Sequence, residues 1–155
     1  MVRTIILDSS PLSSIAKSAS TPPSVTDQCR QWIISCLAAG HSVRVPAIAY
    51  YETLRELERL NATQQIDRLK TFCFMDPDRF IRLETVHLEH AATLWAKVRN
   101  AGIPTASPAA LDGDVIIAAQ ALSLGIPTPN LIVATSNPNH ISRFVTADHW
   151  TNIQP

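Results

Sequence analysis

The stretch "LDSSPLSS", residues 7–14, holds no glycine, and that lack bears on two large classes of nucleotide-binding protein. A dinucleotide-binding fold needs a glycine-rich first turn so that the backbone can approach a pyrophosphate, and a P-loop needs its glycines and lysine for a similar reason. Neither pattern is present. Position 10 is Ser10, so the Asp-x-Asp pair of a phosphoaspartyl hydrolase is missing as well. An excess of one charge is also lacking. Thirteen Lys and Arg cancel thirteen Asp and Glu, which removes the electrostatic surplus that usually marks a nucleic-acid binder and leaves room only for a local basic patch.

Cysteine is scarce and unpaired in pattern: Cys29, Cys36 and Cys73 form no CxxC. An odd count in such a chain points to reduced thiols in a cytoplasmic setting. The seven-residue spacing of Cys29 and Cys36 suits one face of a helix, where they read as small buried residues. No apolar run approaches the ~18 residues of a membrane span, and three apolar residues between Arg3 and Asp8 make no signal peptide. The expectation is a cytoplasmic protein with no membrane partner, and the 155 residues suit a single domain, 1–155, able to bury its own core.

What is present is an alternation. Strand character marks Thr4–Leu7, Ser42–Pro46, residues 80–83 and Leu131–Thr135. Helical periodicity marks residues 31–39, 49–60, 66–72, Thr85–Asn100 and residues 112–124. Residues 17–27 and 101–110, rich in Pro, Ser and small side chains, read as loops. Alternating strands and helices predict a three-layer α/β/α sandwich around a mostly parallel sheet of four or five strands. Ligands gather at the carboxyl ends of such strands. Asp8 ends the first strand, Glu52 follows the second on a helix, and Ser136 and Asn137 follow the last.

Each acid reads two ways. Asp8 suits the N-cap of a following helix, and Glu52 suits a first-turn acid favoured by the helix dipole, with Glu56 one turn on as a plain surface charge or a supporting group. Asp112 and Asp114, around Gly113, open the helix predicted at 112–124; a cap accounts for one of them and not for both. Carboxylates gathered at one edge repel unless protonated or bridged by a cation, and hard oxygen donors suit Mg²⁺ or Mn²⁺. Ser136 and Asn137 suit either a turn or contacts to water or phosphate. A separate cluster, Glu84, His87 and His90, has a metal-binding spacing but lacks the second helix such sites require.

Four segments in order, "IILDSS", "YYETLREL", "DVIIAA" and "ATSNPNH", resemble the PIN-domain nucleases, whose largest bacterial group is the VapC-type toxins. The likeness runs from Thr4 to about Trp150 and is nearest to an uncharacterised bacterial branch, many of whose members carry an acid where this chain has Ala47. The resemblance implies an α/β/α fold and a Mg²⁺- or Mn²⁺-dependent endoribonuclease cutting single-stranded RNA. It matches Asp8, Glu52 and Asp114 to the three core acids and Asn137 to the fourth position, with Asp112 an additional metal-ligand candidate. It further implies homodimerisation and, for toxins, a small antitoxin partner. Substrate-contact candidates are Ser10, Arg55, Ser136, His140 and Arg143, with Arg59 beside them. A catalytically weak module of the same fold, binding a partner protein or RNA, is the alternative, supported by the neutral charge and by Ala47.

Overall fold

The computed structural model describes residues 1–102 and 108–155, with side chains at 1–102 and 112–155. Five parallel strands, β1 (Thr4–Leu7), β2 (Ser42–Pro46), β3 (Phe80–Ile81), β4 (Leu131–Thr135) and β5 (Ala147–His149), form one sheet in the order β3-β2-β1-β4-β5. The helices are α1 (Ser9–Ala16), α2 (Val25–Ala38), α3 (Ala47–Arg59), α4 (Thr63–Phe74), α5 (Thr85–Asn100), α6 (Pro108–Leu122) and α7 (Pro138–Ile141). Together they make the three-layer α/β/α arrangement. The chain moves outward from β1 through β2 to β3, then returns to β1's other side with β4. The connections that leave the carboxyl ends of β1 and β4 therefore lead to opposite sides, at the place where such sheets take ligands.

The core is built from the strands' apolar runs. Ile5, Ile6, Leu7, Val45, Val133 and Ala134 are fully buried, as expected where helices cover both faces of a parallel sheet. Three of the four expected strands match residue for residue. The strand expected at 80–83 ends at Ile81, because the amide of buried Gln120 on α6 donates to the Ile81 and Arg82 carbonyls at 2.8 and 3.3 Å and replaces a strand partner. β5 is the fifth strand; its sequence, Ala-Asp-His, carries no apolar run and pairs only because β4 offers an open edge.

Among the helices, Thr85–Asn100 matches its expected bounds and the others shift. α2 starts at Val25, inside the segment expected to be a loop, because Ser24 and Asp27 form a capping box that the sequence reading passed over. α1 was expected only as the helix that Asp8 would cap, without bounds. It forms because Asp8 caps it and Pro11 sits in its first turn, where no donor is lost. α3 and α4 are separated at Asn61, whose φ of 52° breaks the helix. Of the loop expected at 101–110, residues 103–107 lie outside the described residues, and α6 already begins at Pro108. Among the described residues, no helix is long and apolar enough to cross a membrane.

Candidate active site

Asp8 caps a helix and holds a second contact. One carboxylate oxygen accepts the Ser9 N–H at 2.7 Å, capping α1, while the other accepts the Thr135 hydroxyl at 2.7 Å from the end of β4. The Thr135 oxygen in turn accepts the Asn137 N–H at 3.1 Å. A buried threonine thus ties the ends of the two neighbouring strands together and fixes the rotamer of the acid between them.

The helix bounds change the reading of the other acids. Glu52 is the sixth residue of α3, and Asp114 is the seventh of α6, so neither occupies a first turn where a cap or the helix dipole would account for it. Both are half-buried. Burial raises the Glu52 carboxyl above its ordinary value, the Asp8 charge raises it further, and the Arg55 guanidinium works the other way. Burial likewise pushes Asp114 up to about 7, with Asp8 and then Glu52 adding to the shift. Three carboxylates from β1, α3 and α6 therefore feel one another at one edge of the sheet. Gly113 permits the approach of α6: a Cβ there would stand 3.3 Å from Glu52 Oε1. The sequence signal for this role was the small residue between the two aspartates.

The remaining expected residues divide. Ser10 and Ser136 share a 2.7 Å hydrogen bond with each other across the α1 and β4 ends. Asn137 uses its side-chain oxygen to accept the Asn139 N–H at 3.4 Å, capping α7. His140, on α7, has a buried Nδ1 with no hydrogen-bond partner among the described residues. Arg143 stands exposed just beyond α7. Arg55 lies 5.3 Å from the Tyr51 ring centroid, and Arg59 is held by Glu56. Asp112 is exposed and lines a groove between α5 and α6 with Leu88, Trp95 and Val115; the acids that act on Asp114 are Asp8 and Glu52. His87 is buried as the capping partner of Glu84, its Nδ1 accepting the Glu84 N–H at 3.0 Å, which accounts for that pair without a metal.

Sequence reasoning missed Asp148 and His149. They end β5 beside Ala134 and Thr135, but Asp148 is taken up locally, accepting from His149 N–H at 2.7 Å and Asn152 Nδ2 at 2.9 Å.

A family model for the PIN domain matches residues 5–145. The chain belongs to the PIN-domain family. PIN domains are generally nucleases that use divalent metal ions. No curated protein sequence matches the chain. Its backbone is similar to chains in three solved structures. That of VapBC-1 from nontypeable Haemophilus influenzae has a TM-score of 0.65 at 18% identity, covering 96% of this chain and 98% of that one. That of VapBC2 from Rickettsia felis bound to a DNA fragment from their promoter has 0.65 at 14%, covering 95% and 98%. That of FitAcB from Neisseria gonorrhoeae has 0.67 at 18%, covering 96% and 99%. At these identities the likeness is one of fold, and it accords with the five-stranded PIN sheet described above.

The acids fit a divalent cation by chemistry. They are hard oxygen donors, and their mutual repulsion is what a bound cation would relieve. Among the described residues, no three His, Cys, Asp or Glu side chains form a ready-made metal cage, so this PIN site is an open carboxylate set.

Proposed function

We propose that the chain, acting as one PIN domain over residues 1–155, is a divalent-metal-dependent endoribonuclease that hydrolyses phosphodiester bonds of single-stranded RNA in the cytoplasm. The observation that carries this reading is the meeting of acids from separate elements at one sheet edge: the α6 backbone at Gly113 stands against Glu52, and Asp8 and Glu52 add to the burial that pushes the Asp114 carboxyl up to about 7. A site that only stabilised the fold would have no use for that repulsion. Asp8, Glu52 and Asp114 are the ligands we assign to Mg²⁺ or Mn²⁺. When bound, such an ion supplies charge neutralisation at the phosphate and a more acidic water.

The chain's own contribution is positioning. Thr135 holds Asp8 in one rotamer from a rigid strand end, and Gly113 lets the α6 backbone approach Glu52. Asn137, Ser136 and Ser10 form a neutral polar rim on the β4 side, suited to orienting water or a phosphate oxygen without adding charge. His140 and Arg143 lie on that same side as contacts for the strand. The fold likeness to structures titled VapBC and FitAcB supports a toxin role, with a small antitoxin as partner and a homodimer as the assembled form. The neutral net charge and Ala47 favour the second reading, a weakly catalytic module that binds a partner protein or RNA.

Cleavage of a mixed single-stranded RNA pool with Mg²⁺, with Mn²⁺ and with EDTA, beside an Asp8→Asn control, separates the two. Metal-dependent cutting lost in the variant supports the nuclease. No cutting and no effect of Mn²⁺ on the melting temperature supports the binding module, since a ligand of the native state must raise its stability.

A further inference from the structure

The cations on α3 and at the end of α1 are not equivalent. Arg59 is spent on Glu56, and Arg55 lies over Tyr51. Lys17 differs from both: it is exposed at the carboxyl end of α1, and among the described residues its ammonium makes no ion pair or hydrogen bond. A cleft of about 350 Å³ between α1 and α3 is lined by both Glu52 and Lys17.

The two helices are in register at the acid end, where the Thr53 hydroxyl donates to the Ser9 carbonyl at 3.4 Å. Lys17 lies eight residues further along the chain, or about 12 Å along α1 at the helical rise. Between them the α1 wall presents Ser10, whose hydroxyl is bonded to Ser136 at 2.7 Å, and Ser13, whose hydroxyl donates to the Ser10 carbonyl at 2.7 Å. The second acid on the wall, Glu56, is neutralised by Arg59. Away from Glu52, the uncompensated charge of the cleft is therefore that of one lysine.

A strand whose scissile phosphate lies at the acids must lay its neighbouring phosphates over adjacent surface. The cleft leads from the carboxylates along a neutral serine wall to a single unpaired cation, the charge a flanking phosphate requires. We infer that Lys17 binds a backbone phosphate of the RNA a few nucleotides from the bond that is cut. This assignment rests on the ribonuclease reading above, and it makes Lys17 a positioning residue that sets the shortest substrate handled well.

The test uses the full chain and single-stranded oligoribonucleotides with one cleavage site, shortened a nucleotide at a time from either end. For the wild type, KM rises about threefold to fivefold at the step that removes the contacted phosphate, the range of one exposed charge pair. Lys17→Ala starts from the raised KM and shows no such step, kcat moves less than KM, and the slope of log affinity against log salt becomes shallower by about 0.7. Lys17→Arg behaves as the wild type. A Lys17→Ala enzyme with the wild-type salt slope and the same length step overturns this inference while leaving the nuclease intact. A wild type that neither binds nor cuts RNA overturns the nuclease reading, and this one with it.

Discussion

Two acid-bearing regions of this molecule were built from similar parts to opposite ends. At the start of α2, Asp27 accepts hydrogen bonds from Ser20 and Ser24 and pairs with Arg30, whose guanidinium also reaches the Ser14 and Lys17 carbonyls at 3.0 and 2.6 Å. The backbone N–H of Ser24 and the Ser20 hydroxyl hold its carboxyl well below the usual range. At the carboxyl edge of the sheet, Asp114 is driven upward by burial and by two other acids. Every hydrogen bond and charge around Asp27 favours its carboxylate, and through Arg30 it links α2 to the end of α1. The edge cluster holds charges that oppose folding, and such a cost persists where a ligand is to be met.

That contrast can be broken most severely at the edge. Asp8→Asn and Asp114→Asn should each lower metal-dependent RNA cleavage by a factor of about 100 or more, the size of effect seen when transition-state charge loses its stabilisation. A variant of either residue that cleaves at near-normal rate would remove the acids from the mechanism.

The same Asp114→Asn protein should be more thermostable than the wild type in EDTA at pH 8, and nearly equal to it at pH 4. The sign follows from the raised pKa. Between the unfolded value of 3.8 and the folded value of about 7, the native state holds the proton more tightly, so stability falls as pH rises through that window. Mn²⁺ should then raise the wild-type melting temperature more at pH 8 than at pH 5. Melting curves with equal gaps between variant and wild type at pH 4 and pH 8 would show that Asp114 is not under strain.

Thr135→Val should lower cleavage about tenfold and destabilise by about 1 to 2 kcal/mol, since it removes the hydroxyl between Asp8 and the Asn137 N–H and leaves that donor without its acceptor. Cleavage rates and chemical denaturation measure the two effects separately, and wild-type cleavage by this variant would deny the threonine its role in holding Asp8. The smallest expected effect is at the contrasting region. Ser24→Ala, which removes half of the α2 capping box, should cost about 1 kcal/mol and leave both cleavage and the Mn²⁺ response unchanged. A loss of Mn²⁺ response there would mean that the two regions are coupled.

Much of the fold was legible because its strands are buried on both faces. A continuous apolar run such as "LIVAT" carries its own limits, and β1, β2 and β4 were read without error. What was lost lay in segments whose structure depends on partners. α1 has a serine-rich sequence whose only helix signal was the cap at Asp8, so its bounds were not read. β5 has no strand signature because an edge strand can borrow its hydrogen bonds from β4. The start of α2 was carried by Ser24 and Asp27 in a stretch that composition marks as loop.

The candidate site shows the same division more sharply. Local sequence, together with the family resemblance, determined that acids would stand at positions 8, 52 and 114, because a strand ending in Asp and helices that follow strands place their residues toward one edge of a parallel sheet. Only the tertiary structure decided which of them act on one another. It turned Asp112 to an exposed groove while leaving Asp114 half-buried, joined Ser10 to Ser136 instead of leaving each free, and brought Thr135, read beforehand as a neutral end of a strand, into contact with Asp8. Sequence spacing fixes where a side chain leaves the backbone, whereas repulsion, burial and hydrogen bonding depend on distances between segments more than forty residues apart, and those exist only once the chain has packed.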